Sequence, residues 1–183
     1  ADLDIDGGTD IGAAIVDADL FIVDDGAGGT NRKTVASRLK TYIGNNTPAF
    51  AASHTSAQTL SNNTLTKIQY NNELFDTDSD YDNSSNYRFT ASVAGKYFFY
   101  CSVRFAADTS EYALAPYKNG SQIAWVSDTT TSDVYQSIFC SFSLDLSATD
   151  YVEVYARQQS GGNLDTHGAS DSFVLFGGHR LIT

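Results

Sequence analysis

Four aspartates, Asp76, Asp78, Asp80 and Asp82, stand at alternate positions along one stretch of the chain. Carboxylates supply the hard oxygen ligands that calcium takes, and a loop can turn such a set toward one ion. The EF-hand pattern also needs a following glycine and a bidentate glutamate, and neither is present here. A solvated acidic loop is the plainer expectation, with calcium as the one ion these residues could hold. The three histidines, His54, His167 and His179, sit in no HExxH motif, and the chain has no GxSxG elbow. No serine, histidine and acid share a favoured spacing, so no catalytic residue is assigned and a non-enzyme is expected. Gly26 to Thr34 is glycine-rich and contains Lys33-Thr34, but the GxxxxGK[ST] spacing of a phosphate loop is missing. Cys101 and Cys140 are too few for a disulfide scaffold, and no CxxC spacing suggests zinc. Asn45, Asn62, Asn83 and Asn119 each open an N-x-S/T sequon, which matters only in a eukaryotic secretory setting.

The elements that must position these residues follow from composition and period. The 183 residues suffice for one full domain plus an appendage. Acids outnumber bases 22 to 11, for a net charge of −11. A chain this acidic repels phosphate backbones, so nucleic acid is not an expected partner. It has no basic amphipathic stretch for an anionic membrane and no apolar run near the ~18 residues of a span. No charged region plus apolar core marks a signal peptide. The chain starts with Ala, as a fragment or a processed product would, so secretion is not read from this end. Eleven Tyr and eleven Phe among abundant Thr, Ser and Asn make a β-rich composition with polar turns.

Residues 1–29 contain eight Asp and no Lys or Arg, whereas residues 30–44 contain Arg32, Lys33, Arg38 and Lys40 and no acid. The first part predicts a short strand, Asp19 to Val23, closed by a glycine-rich turn from Asp25 to Gly29. The second predicts a helix capped by Thr30 or Asn31, with Val35, Leu39, Tyr42 and Ile43 on one face and Gly44 as its stop. This piece, residues 1–45, is too small to bury a core alone. From Thr47 onward the pattern is all β. Short strands are expected at Pro48 to Ala52, Leu65 to Tyr70 and Tyr87 to Ala91. Lys96 to Phe105 and Val134 to Leu146 are long and alternating. Tyr112 to Lys118 and Gln122 to Val126 flank Asn119-Gly120, a strong hairpin signal. Tyr151 to Arg157 and Ser172 to Ile182 complete the set. Many short strands between turn clusters imply a sandwich or barrel, and period alone does not choose between a jelly roll and an immunoglobulin sandwich.

Specific residues carry the choice further. Phe75-Asp76, Tyr81-Asp82, Arg88-Phe89-Thr90-Ala91 and Val93-Ala94-Gly95-Lys96-Tyr97-Phe98-Phe99 follow one another in order. They resemble the C1q-domain signature, in which an Asn- or Asp-rich loop leads to "Y-D" and then "F-T-A-P-x-x-G-x-Y-x-F". Pro48-Ala49-Phe50 resembles that family's first strand and Lys118-Asn119-Gly120 its "K-N-G" turn. Leu144-Asp145-Leu146 with Asp150-Tyr151-Val152 resembles its "L-x-L-x-x-G-D-x-V", and Phe173, Gly177-Gly178 and Leu181 its closing strand. Ser92 stands where the family has Pro, and Thr149 where it has Gly. The N-terminal residues Asp10-Ile11-Gly12, Asp17 to Asp25, Gly28 to Thr34 and Tyr42-Ile43 resemble a connector module of bacteriophage tail-fibre and other virion proteins.

The resemblance implies an all-β, ten-stranded jelly-roll sandwich of C1q/TNF type over residues 47–183, preceded by a small strand-helix connector or docking segment at 1–45. It implies a homotrimer, with one sheet facing a threefold axis. Phe98, Tyr100 and Arg104 on the outward parity of Lys96–Phe105, and Tyr135 and Phe139 on the neighbouring strand, are then the trimer-interface residues. Four outward aromatics would make a patch larger than a soluble monomer usually shows water. Some C1q-like trimers hold calcium near the apex with acids of a loop that here carries Asp128 and Asp133, so these two join the calcium candidates. No other cofactor is expected. Cys101 and Cys140 come to face the core from neighbouring strands, where a bridge needs Cα atoms within about 7 Å. A phage protein assembles in reducing cytoplasm, so buried free thiols are expected. The function implied is that of a phage virion structural protein, a tail-fibre or spike adhesin whose head binds a host-surface glycan or protein. Residues 1–45 would join other virion proteins. The alternatives are a capsid or tail decoration protein, or a secreted C1q-like lectin or immune-recognition module.

Overall fold

The structure, a computed structural model, describes residues 12–24, 31–43, 47–108, 111–131, 134–168 and 174–181. Asp10, Ile11, Asp25 to Thr30, Gly44, Asn45, Asp133, Ser172, Phe173 and Ile182, which the sequence singles out, lie outside the described residues. The chain divides into two compact units, Ala1–Asn45 and Asn46–Thr183.

In the first unit β1 (Leu20–Asp24) pairs antiparallel with β2 (Asn31–Val35), and α1 (Ala36–Ile43) follows. This corrects the expected helix. Asn31 does not cap it but begins β2, and Val35 sits opposite Leu20 in the ladder. A lone β1 would leave its N–H and C=O groups unpaired. The β-branched Thr34 and Val35 suit an extended partner better than a first helical turn. Leu20 and Ile22 remain exposed on β1.

The second unit is built of strands. In chain order they are β3 (Ala49–Ser53), β4 (Thr59–Leu60), β5 (Thr66–Lys67), β6 (Asn72–Asp76), β7 (Tyr81–Asp82), β8 (Arg88–Thr90) and β9 (Gly95–Asp108). There follow β10 (Glu111–Lys118), β11 (Ser121–Gln122), β12 (Val126–Thr129), β13 (Val134–Leu146), β14 (Tyr151–Gln158), β15 (Leu164–Asp165) and β16 (Leu175–Arg180). One sheet runs β13-β9-β16-β3-β6. The other runs β11-β10-β14-β8-β7, with β12 also on β10 and β5 also on β14. Their inner faces meet in one core, as the jelly-roll reading requires.

Two local departures have physical causes. The strand expected at Gln122 to Val126 is split between β11 and β12. These pair with the two ends of β10 and leave out Ala115-Pro116. Pro116 has no N–H to give a neighbour, so only its carbonyl is used, by the Ile123 N–H at 3.0 Å. The strand expected at Leu65 to Tyr70 shortens to β5. At the hairpin between β10 and β11, Asn119 and Gly120 both take positive φ (50° and 76°), the two-residue turn that matches strand twist.

The core is aromatic. Phe50 stacks on Tyr81 and on Phe89, each at 4.9 Å between ring centroids, and meets Phe176 edge-on at 5.0 Å. Phe50 and Phe176 come from one sheet, Tyr81 and Phe89 from the other. Gly178 makes room on the same face, because a Cβ there would lie 2.5 Å from the Phe99 ring. A Cβ on Gly177, one residue earlier, would strike the Tyr100 ring on the opposite face. His54 is buried with its ring satisfied. Its Nδ1–H donates to the Gln69 carbonyl at 2.7 Å, and its Nε2 accepts from the Thr166 hydroxyl at 3.2 Å. Burial pulls the His54 pKa below its ordinary value, against a smaller raising effect of the Gln69 hydrogen bond.

Two tests follow. Phe50→Ala should lower unfolding stability by about 3–5 kcal/mol in urea denaturation; a loss below about 1 kcal/mol would show that the rings do not join the sheets. Folded His54 resists the proton that the unfolded chain takes up below about pH 6.5. The unfolded state then binds more protons, so stability should fall as pH drops through and below that value. Melting midpoints between about pH 7.5 and 5.5 should decline, and His54→Gln should flatten the decline. An equal slope in both proteins would assign the pH dependence to other groups.

Candidate functional site

Strand parity decides what each sheet shows on its outer face. On β9 the inward set Tyr97, Phe99, Cys101, Val103 and Phe105 is fully buried. The outward set is Phe98, Tyr100, Ser102 and Arg104. The register lays out cross-strand rows on this free face. One reads Ser141, Tyr100, Gly177, Ala51 and Phe75 across all five strands. The next reads Ser143, Phe98, His179 and Ala49. In the first row the small pair Gly177 and Ala51 lies between Tyr100 and Phe75.

The five residues expected at a trimer interface all lie on or beside this face, with unequal exposure. Phe139 is 61% and Tyr135 51% exposed, because β13 is an edge strand with a neighbour on one side only. Phe98 and Tyr100 sit in the interior of the sheet and are half-buried. Phe98 packs on the His179 ring at 5.8 Å, and Tyr100 lies over Gly177. Arg104 covers the Tyr135 ring at 4.7 Å, and His167 meets that ring edge-on at 5.0 Å. Phe75 (50% exposed), on the opposite edge strand β6, extends the apolar surface, and Leu74 next to it in sequence is 56% exposed. Sequence reasoning missed them, since β6 shows no alternation.

The alternating aspartates do not converge. Asp76 accepts from the Tyr81 N–H at 2.7 Å and the Asp78 N–H at 3.2 Å. Asp78 accepts from the Thr77 hydroxyl, and Asp80 from the Ser92 N–H and hydroxyl at 3.1 and 2.7 Å. Asp82 gathers the N–H groups of Ser84, Ser85 and Asn86 and the Asn86 amide. The Ser85 and Ser84 N–H groups, more than the opposing burial, hold its carboxyl well below the usual carboxylate range. Asp76 and Asp82 thus close their own turns, and Asp80 ties its loop to Ser92. Among the described residues no three His, Cys, Asp or Glu side chains come together as a metal cluster. Asp128 accepts from the Gln136 amide at 2.7 Å, and its expected companion Asp133 lies outside the described residues. A cavity of about 350 Å³ beside these turns is lined by Asp80, Asp82, Ser92 and Thr149, among others. Asp80 and Ser92 there already bond each other.

The second sheet's outer face holds a pattern that the period of β14 could have shown. Val152, Val154 and Ala156 are buried, so Tyr151, Glu153, Tyr155 and Arg157 form the other parity. Cations cover the rings: Arg88 over Tyr151 at 4.2 Å, Lys67 over Tyr155 at 5.7 Å and Arg157 over Trp125 at 4.8 Å. Tyr117 leans on Tyr155 at 4.7 Å. Glu153 is buried between Lys67 and the Tyr155 hydroxyl. Burial first, and then Glu153, push the Tyr155 phenol up to about 12. The histidines are dispersed: His54 in the core, His179 beside Phe98, and His167 against Tyr135.

If the acids serve turns rather than an ion, the melting midpoint should be the same in calcium and in chelator. A rise with calcium, which binding to the folded form would cause by mass action, would restore an ion site.

The geometry has counterparts among known proteins. The zebrafish complement 1qA globular domain superposes with a TM-score of 0.53 at 18% identity, covering 73% of this chain and 97% of that one. Murine APRIL at pH 8.0 gives 0.57 at 12% identity, covering 73% and 98%. The Eiger TNF of S. frugiperda gives 0.51 at 14% identity, covering 73% and 91%. At these identities the likeness is one of fold. No curated protein matches the chain. The C1q domain family matches residues 49–181, so on the sequence of its strand unit this chain belongs to the C1q domain family.

Proposed function

We propose that this chain is a non-enzymatic, homotrimeric recognition protein of a bacteriophage virion, made in the host cytoplasm and acting as a tail-fibre or spike adhesin. The observation that carries the trimer is the free face of the β13-β9-β16-β3-β6 sheet. It presents Phe139 and Tyr135 at one edge and Phe75 at the other, each at least half exposed. Two apolar edges on one sheet allow a heterologous contact that closes into a ring. Burying each exposed aromatic there would contribute roughly 1.5–3 kcal/mol. Trimerisation through this sheet leaves the outer face of the other, with Tyr117, Tyr151, Tyr155 and Trp125, for a host-surface glycan or protein. The virion setting is supported by the N-terminal residues that resemble a tail-fibre connector, and residues 1–45 are proposed to dock onto other virion proteins.

Light scattering of the purified chain at micromolar concentration should give a trimeric mass. Phe139→Asp should give a folded monomer, because the ring is already solvent-exposed in the single chain. A monomeric wild type would refute the trimer, and a trimeric Phe139→Asp would refute this face. Mass spectrometry of purified phage particles should find the chain, and the soluble protein should bind host cells. Presence in particles without cell binding would favour a decoration role, and absence from particles a secreted lectin.

A further inference from the structure

The core contains a pair of thiols in a geometry that neither the fold nor the proposed function uses. Cys140 on β13 stands directly opposite Cys101 on β9 in the antiparallel register. Both side chains point into the core, with Cys101 0% and Cys140 6% exposed, and both are free. The two residues face each other across one rung of the ladder, on the core side of both strands. Facing residues in an antiparallel pair have Cα atoms about 4.5–5.5 Å apart. That lies inside the ~4.4–6.8 Å range that a disulfide spans.

We propose that Cys101 and Cys140 form an oxidisable dithiol that a small-molecule disulfide converts to an intrachain bridge, clamping the edge strand β13 onto β9. The inference is independent of the virion reading. Access comes from topology. β13 has a strand neighbour on one side only, so local opening at the edge frees Cys140 without unfolding the sheet. Cys140 is the attacking sulfur. It lies on the edge strand, and its neighbour Cys101 draws its pKa down, while the same neighbour and deeper burial push Cys101 up. The Cys140 thiolate attacks one sulfur of the small disulfide and expels one thiolate, leaving a mixed disulfide. Cys101 then gives up its proton and attacks the Cys140 sulfur, expelling the second thiolate. One protein dithiol and one small disulfide become one protein disulfide and two small thiols. The bridge fixes the strand that carries Tyr135 and Phe139.

The test uses the full chain, fully reduced and then incubated with oxidised glutathione in native buffer. The expected product has lost two hydrogen atoms and both titratable thiols, carries no glutathione, runs as a single chain on a non-reducing gel and yields a Cys101–Cys140 cross-linked peptide. Its melting midpoint is higher, and dithiothreitol reverses the change. Cys101→Ser should stop at a glutathione adduct on Cys140. Retention of both thiols, a stable adduct on the wild-type chain, or interchain dimers would each overturn the proposal. The wild-type result decides it even if the variant fails to fold.

Discussion

The ring of Phe50 joins the two sheets of the strand unit. It stacks on Tyr81 and Phe89 of the facing sheet and meets Phe176 of its own sheet edge-on, so β3, β16, β7 and β8 are held by one cluster. A side chain in a strand has only two faces to choose from, and slipping one residue would exchange them all. Once Phe50, Phe99 and Phe176 are committed to the core, Ala51, Tyr100 and Gly177 must share the opposite face, and the register places them in one row. The outer aromatic surface is thus a consequence of the inner one. Gly177 and Gly178 let both surfaces exist on the same strand, by admitting Tyr100 on one side and Phe99 on the other.

What could be read in the sequence was what repeats with period two over a long stretch. The alternations in β9 and β13 identified both faces, and every expected inward residue of β9 is buried. Asn119-Gly120 marked its hairpin because the turn chemistry is local. The residues that misled depend on partners distant in the chain or on competing periods. Val35 and Leu39 satisfy a helical spacing, yet Asn31 to Val35 pair with β1, because the needs of an unpaired strand outweigh a weak local preference. Pro116 interrupts not its own strand but its neighbour's, so the break between β11 and β12 is invisible until the pairing is known. Asp76 to Asp82 read as a ligand set from spacing alone. Their actual partners are local backbone N–H groups for Asp76 and Asp82, the Thr77 hydroxyl for Asp78 and the distant Ser92 for Asp80, which spacing does not reveal.

The charge of the chain divides in the same way. A net charge of −11 gives little reason to expect order among the acids, but most of those in the 76–82 stretch are engaged in holding turns. Asp150 does likewise, accepting from the Ser147 N–H and the Asn119 amide and pairing with Lys118 at 2.9 Å. Lys67, Arg88, Arg104 and Arg157 are placed over rings, where their apolar stems cover surface and their charge meets the ring face.

This placement distinguishes the outer faces of the two sheets. On the β10-β14 side Arg88, Lys67 and Arg157 sit over Tyr151, Tyr155 and Trp125, so rings and water coexist through the cations between them. On the β9-β13 side Arg104 covers Tyr135, but the cross-strand neighbour of Phe139 is Ser102, a side chain too small to shade a ring. Phe139 therefore keeps most of its area in solvent at a sheet edge whose backbone groups also face outward. An edge strand left long and apolar is a liability unless something pairs or covers it. In the proposed trimer, the β6 edge of a second copy, bearing Phe75, would cover that edge without any new element being added to the fold.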